Sequence, residues 1–138
     1  KKGNLAVAHN GNITNAIEYC AYEAAIDPRY QYISKDELDD LYVNITIFSD
    51  WQKMTSPYDF IPGADSLIVD NSKAASVETE RTLLQTPVAA EHTLDENGFL
   101  ERLLKKAKLD SSYIDDPSLT FYKSKSIFFT AKVSDFIS

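Results

Sequence analysis

The chain has 138 residues, of which 43% are hydrophobic and 25% charged, so it is long enough for one domain with a hydrophobic core. Its 21 Asp and Glu residues outnumber its 14 Lys and Arg residues and give a net charge of -7. Non-specific binding to nucleic acid requires a basic surface. The composition therefore argues against a nucleic-acid partner.

Cysteine usage and hydropathy indicate the compartment. The single cysteine, Cys20, excludes an internal disulfide framework and is typical of a reducing environment. The sequence contains no apolar run of membrane-spanning length and no recognisable signal peptide. We therefore expect a cytoplasmic protein without membrane association. Because the chain opens with Lys1 rather than Met, we also expect a fragment, a processed form or an artificial chain, and a gene fusion is a further alternative.

The first half of the chain predicts a helix followed by a strand. A short strand over Leu5–Ala8 and a turn precede the helix, for which Asn15 is the expected N-cap with Glu18 completing a capping box. The helix ends before Pro28, which lacks a backbone donor. Its packed stripe comprises Ile17, Cys20, Ala21, Ala24 and Ala25. Alternation over Tyr42–Phe48 then predicts a strand that buries Val43, Ile45 and Ile47.

Between this strand and the next, residues 49–63 are predicted to be irregular, held down by Trp51, Tyr58 and Phe60. Two helical signals follow: Pro87 begins a short helix, and Thr93 with Glu96 caps a longer one. The packed stripe of the longer helix comprises Phe99, Leu100, Leu103, Leu104 and Ala107. The remaining predicted elements are strands over Ser66–Asp70, Thr82–Leu84, Leu119–Tyr122 and Ser126–Phe136. The short loops favour an α+β fold, with helices packed on a mainly antiparallel sheet.

Several segments resemble a known family. Asp27-Pro28-Arg29-Tyr30 is similar to the end of its first helix, and Asp65–Val69 and Arg81–Ala89 resemble two later segments. Residues 15–134 are on this basis similar to the AMMECR-type domain, which occurs as protein A of the AmmeMemoRadiSam system. The resemblance implies two unequal lobes with a cleft between them.

The family's Leu-Arg-Gly-Cys-Ile-Gly motif, which lies upstream of its first helix, is missing from the sequence. Cys20 lies inside the predicted helix stripe and does not match the motif cysteine. We therefore interpret residues 1–138 as a single AMMECR-type domain that lacks the family's N-terminal part.

A second resemblance covers residues 3–16, which are similar to the oxyanion-hole segment of the amidophosphoribosyltransferase glutamine amidotransferase domain. In that family an Asn-Gly pair stabilises the oxyanion, and Asn10 and Gly11 match it here. The nucleophile of that family is an N-terminal cysteine, whereas this chain begins with Lys1.

Few other residues are candidates for a site. Asp27 and Arg29 can pair across the turn that follows the first helix, and they are also candidates for binding a ligand in a cleft. His9 and His92 have no neighbours at metal-ligand spacing, so we expect neither a metal nor another cofactor.

Three hypotheses about function remain open. The first is a binding or partner-interaction module without catalysis, whose partner is a protein or a small molecule. The second is a fragment or relative of an enzyme, thiol-dependent or a vestigial glutamine amidotransferase, which is inactive for lack of the cysteine nucleophile. The third is an artificial chain without a function of its own. Oligomeric state is not predicted.

Overall fold

A computed structural model describes residues 12–71 and 81–135. The chain divides into two compact units of unequal length. Unit 1 comprises residues 1–45 and 130–138, and unit 2 comprises residues 46–129. Helices and a mainly antiparallel sheet are both present, which confirms the predicted α+β class. The predicted strand over Leu5–Ala8 lies outside the described residues.

Unit 1 begins with helix α1, Ile13–Ala25. Its N-cap is Asn12, whose Oδ1 accepts a hydrogen bond from the Asn15 N–H at 3.1 Å. The prediction of Asn15 as the N-cap is therefore wrong. Asn12 offers the same capping chemistry three residues earlier. The two residues between Asn12 and Asn15 are already helical, so the helix begins at Ile13.

The packed face of α1 is only half-buried, because no residue of the helix is fully buried. Ile17, Cys20, Ala24 and Ala25 are partly buried, as the predicted stripe requires, but Ala21 is exposed. The helix is followed by a 3-10 helix, Lys35–Asp40, with Ser34 before it. Ser34 and Glu37 form a capping box there, in which the Ser34 N–H donates to Glu37 Oε2 at 2.8 Å.

Strand β1 has the predicted bounds, Tyr42–Phe48, but not the predicted burial. Ile45 and Ile47 are half-buried and Val43 is exposed. Alternation along a strand establishes which side chains share a face, but not whether another layer of the protein covers that face. The interpretation of this face as buried is therefore wrong.

Unit 2 contains the core sheet. Its strands are β2 (Gln52–Lys53), β3 (Asp65–Asp70) and β4 (Arg81–Leu84), together with most of β5 (Thr120–Lys132). The strand order is β1-β5-β3-β4, with β2 also pairing with β5. The pairings of β3 with β4 and with β5 are antiparallel.

Strand β5 is continuous, whereas the sequence predicts two strands separated at residues 123–125. Two of the three polar residues there, Lys123 and Ser124, have side-chain partners, and Lys125 is exposed to solvent. Lys123 Nζ pairs with Asp59 Oδ1 at 3.0 Å, and the buried Ser124 hydroxyl donates to the Ser49 carbonyl at 2.8 Å. A polar residue whose hydrogen bonds are satisfied need not interrupt a strand.

Two helices follow β4: α2, Pro87–His92, and α3, Glu96–Lys106. Asp95, not Thr93, caps α3, and its Oδ1 accepts from the Gly98 N–H at 2.8 Å. Thr93 instead ends α2 with a φ of 52°, a left-handed conformation. The predicted stripe of α3 is buried throughout, from Phe99 to Ala107.

The segment between β1 and β3 covers part of the core. Phe60 is buried with its ring centroid 5.8 Å from that of Phe99, and Trp51 lies 5.3 Å from Phe48. Tyr58 is exposed, so its predicted role as an aromatic anchor is wrong. The buried apolar residues are Met54, Phe60, Leu67, Val69, Leu84, Ala89, Phe99, Leu100, Leu103, Leu104, Ala107, Leu119 and Phe121.

The Asp59–Lys123 ion pair makes the stability of unit 2 depend on pH. Asp59 also accepts hydrogen bonds from the backbone N–H and hydroxyl of Thr55, both at 3.2 Å. The hydrogen bond from Lys123, followed by those from Thr55, lowers the pKa of Asp59. Because the folded pKa is depressed, the stabilisation is present above the ordinary carboxyl pKa and is lost as pH falls through the folded value.

We expect Asp59→Asn to lower the melting temperature at neutral pH, with the difference from wild type shrinking below about pH 4. Melting curves from pH 2 to pH 7 measure this. Lys123→Gln removes the same ion pair. It should therefore lower the melting temperature less in the Asp59→Asn variant than in the wild-type chain. A difference between Asp59→Asn and wild type that stays constant down to pH 2 would contradict the assignment.

Within residues 12–71 and 81–135, no helix combines the length and the apolar character needed to cross a membrane.

Candidate functional site

The turn after α1 is built from Asp27, Pro28 and Arg29. The Ile26 N–H still donates to the Tyr22 carbonyl at 3.1 Å, which closes the last turn of the helix. Pro28 supplies no backbone donor and disfavours helical geometry at the residue before it. The chain therefore leaves the helix at Asp27, which is buried.

Asp27 and Arg29 form the ion pair predicted from the sequence. Arg29 Nη2 lies 2.6 Å from Asp27 Oδ2 and Arg29 Nε lies 3.0 Å from Oδ1, so the contact is bidentate. The Arg29 backbone N–H also donates to Asp27 Oδ1 at 3.0 Å. The hydrogen bond and the charge of Asp27 raise the pKa of Arg29. Bidentate geometry fixes the guanidinium plane, so the pair holds the turn in one conformation.

The Arg29 guanidinium is accessible to solvent on the side that does not contact Asp27. Its side chain is largely exposed, and its guanidinium carbon lies 5.8 Å from the centroid of the Tyr30 ring. The hypothesis that Asp27 and Arg29 bind a ligand stays a prediction. Asn10 and Gly11, the other predicted site residues, lie outside the described residues.

An apolar strip lies on the outward side of α1. Tyr19, Tyr22 and Ile26 are 54%, 62% and 37% exposed, and their spacing of three and four residues places them next to one another on one face of the helix. We call these three residues the α1 outer strip. This strip was not predicted from the sequence, although its spacing is visible there, because the stripe of smaller apolar residues indicates a packed face on the opposite side of the helix.

The described part of unit 1 is rich in exposed tyrosines and in carboxylates. All five tyrosines in the described part of unit 1 are exposed: Tyr19, Tyr22, Tyr30, Tyr32 and Tyr42. The described part of unit 1 also contains eight Asp and Glu side chains but only three Lys and Arg side chains. Exposed tyrosines within a negative field can contact cations through their ring faces and apolar groups through their ring bodies.

Unit 2 has a polar groove of about 320 Å³, formed by the segment after β2 and the segment before β5. Lys53 to Pro57 line one side, and Ile114 to Pro117 line the other. Asp116 is the acceptor for both the backbone N–H and the hydroxyl of Ser118, at 2.8 and 2.7 Å. These hydrogen bonds lower the pKa of Asp116, so its carboxylate supports the loop.

The described ranges, 12–71 and 81–135, were also compared with the requirements of a metal site. They contain no cluster of three or more His, Cys, Asp or Glu residues arranged to hold a metal ion. Cys20 is half-buried on α1, and His92 is exposed at the end of α2.

The chain is similar to a known protein family and to a solved structure. The AMMECR1 family profile matches residues 3–128. The crystal structure of an uncharacterised protein from Pyrococcus horikoshii superposes with a TM-score of 0.73 at 25% sequence identity. The alignment covers 87% of this chain and 59% of that protein, so the chain spans well under two thirds of its relative's length. A comparison with curated proteins found no match. The family match extends over most of the sequence, and the chain therefore belongs to the AMMECR1 family.

Proposed function

We propose that this AMMECR1-family chain is a binding module, and that unit 1 recognises a basic segment of another protein through the α1 outer strip. The observation that carries the proposal is the exposure of Tyr19, Tyr22 and Ile26 side by side on one helix face. Tyrosine is among the residues that contribute most to binding energy at protein interfaces.

The negative charge of unit 1 favours a basic partner segment. Glu18 lies four residues before Tyr22 and is exposed on the same side of α1, and unit 1 as described carries five more carboxylates than cations. A partner segment with Lys or Arg next to apolar residues would satisfy both the rings and the carboxylates. Complementary charge of this kind increases the association rate and selects against acidic partners.

The Asp27–Arg29 pair has a supporting role in this proposal. By fixing the turn directly after Ile26, the pair holds the end of the helix that presents the strip. A surface that is ordered before binding loses less conformational entropy when the partner docks. Arg29 is therefore assigned to positioning rather than to contact with the partner.

The enzymatic alternatives receive less support. Cys20 lies on the half-buried side of α1, opposite the outer strip. The resemblance of residues 3–16 to a glutamine amidotransferase stays a prediction. The single-domain interpretation of residues 1–138 and the cytoplasmic location also stay predictions.

The test uses a synthetic amphipathic helical peptide of lysine and leucine, labelled for fluorescence anisotropy. We expect Tyr19→Ser with Tyr22→Ser to weaken its binding by about tenfold or more, because both ring contacts are lost. Added salt should weaken wild-type binding as well, since part of the attraction is electrostatic.

Tyr58→Ser is the matched control, because Tyr58 is an exposed tyrosine of unit 2. It should leave the affinity unchanged. A peptide with glutamate in place of lysine should bind at least tenfold more weakly than the basic peptide. Equal affinity for both peptides, or an unchanged affinity after the double substitution, would refute the proposed function.

A further inference from the structure

Strand β5 extends beyond the first residue of its antiparallel neighbour β3. The last cross-strand pair between them is Asp65 with Lys125, and the Ser126 N–H then donates to the Ala64 carbonyl at 2.9 Å. Among the described residues, no strand pairs with this side of β5 beyond Ser126. In the described part of the chain, the side of β5 that faces β3 is therefore unpaired beyond Ser126.

The residues along this open edge are large and apolar. Ile127, Phe128 and Phe129 are 58%, 39% and 55% exposed. Side chains alternate across a strand, so Ile127 and Phe129 project to one face of the sheet and Phe128 to the other. Three consecutive exposed apolar side chains on an open edge favour pairing with a further strand.

The backbone at Phe128 is oriented for such pairing. The Lys125 carbonyl accepts from the Ser49 N–H at 3.1 Å, on the β1 side, whereas the Ser126 N–H faces β3. Polar groups alternate between the two sides of an antiparallel strand. The N–H and C=O of Phe128 therefore face the same open side as those of Ser126.

We propose that residues 125–129 form a docking edge for an extended, apolar peptide segment of another protein, which adds to β5 as a strand and carries an acidic residue beside Lys125. Main-chain hydrogen bonds would provide the affinity and the exposed side chains the specificity. Lys125 is exposed at the start of this edge and supplies a positive charge for the acidic residue.

The charges disfavour a second copy of this chain as the occupant. Each copy carries a net charge of -7, so two copies repel one another electrostatically. This edge lies in unit 2 and selects an acidic, extended partner, so it is independent of the α1 outer strip.

The test uses a synthetic peptide of alternating valine and threonine with one aspartate at each end, followed by fluorescence anisotropy. Phe128→Pro removes the N–H that faces the open side and leaves the β1 side intact. We expect it to weaken binding by about tenfold or more. Phe128→Ala keeps the N–H and should lose less affinity. A thermal melt verifies that each variant is folded.

Two further measurements distinguish backbone pairing from adhesion of apolar groups. A fully N-methylated peptide with the same side chains should not bind. Lys125→Glu should weaken binding, and replacing the aspartates of the peptide by lysine should restore it. Unchanged affinity in folded Phe128→Pro, or binding of the N-methylated peptide, would overturn the proposal. So would a wild-type dimer, seen by sedimentation, that Phe128→Pro dissociates.

Discussion

Phe99→Ala is expected to lower the free energy of unfolding of the domain by about 3–5 kcal/mol. Phe99 is fully buried on α3, with its ring packed at 5.8 Å from that of Phe60. Truncation removes the apolar surface buried on folding and leaves a cavity that the neighbouring side chains fill only in part. The aromatic contact with Phe60 is lost as well.

Equilibrium unfolding in urea measures this change from the shift of the midpoint. Glu101→Ala is the matched control, because Glu101 is an exposed residue of the same helix, and its effect should stay within about 0.5 kcal/mol. If the two variants were equally stable, α3 would not be the helix that covers the core sheet.

Ser66→Ala is expected to cost about 1–3 kcal/mol, far more than the loss of a surface hydroxyl. The Ser66 hydroxyl is completely buried, lies 2.7 Å from the Thr86 hydroxyl and accepts the Thr86 N–H at 2.9 Å. Removing it leaves a buried backbone donor without its acceptor, which costs the desolvation of that group.

A double-mutant cycle with Thr86→Val isolates the contact between the two hydroxyls. Because both substitutions remove this bond, their combined cost should be smaller than the sum of the single costs. Thr82→Val, at a buried threonine on β4, is a control outside this pair. Its cost in the free energy of unfolding should be additive with that of Ser66→Ala. Additive costs for Ser66→Ala and Thr86→Val would show that the hydroxyls do not interact.

Some elements were accurately predicted because their local signals are strong. The α3 stripe from Phe99 to Ala107 follows helical spacing, and all five of its residues are buried. The bounds of β1 were likewise predicted, since alternation and β-branched residues agree over Tyr42–Phe48. Where periodicity and residue type indicate the same element, the sequence suffices to place it.

Caps and strand continuity were predicted less well, because nearby residues offer equivalent chemistry. Asn12 and Asn15 can both cap α1, and Thr93 and Asp95 can both precede α3. The continuity of β5 depends on Asp59 and Ser49, which are distant in the sequence and provide partners for its polar residues. Such long-range partners leave no mark on local periodicity.

The candidate site was predicted only in part. The Asp27–Arg29 pair follows from a spacing of two residues across a proline turn and was predicted from the sequence. The α1 outer strip was not, because a helix with apolar residues on two faces does not reveal which face packs inward. The half-buried positions of Ala24 and Ala25, set against exposed Tyr19 and Tyr22, resolve that choice.

The most direct test of the proposed function is a titration of the labelled chain with the lysine–leucine peptide, followed by the amide resonances in ¹⁵N–¹H NMR spectra. We expect the largest shifts to cluster on α1 around Tyr19, Tyr22 and Ile26 and to be absent from the Tyr19→Ser, Tyr22→Ser variant. Shifts confined to unit 2, or no shifts at all at millimolar peptide, would contradict the claim that unit 1 is the recognition surface.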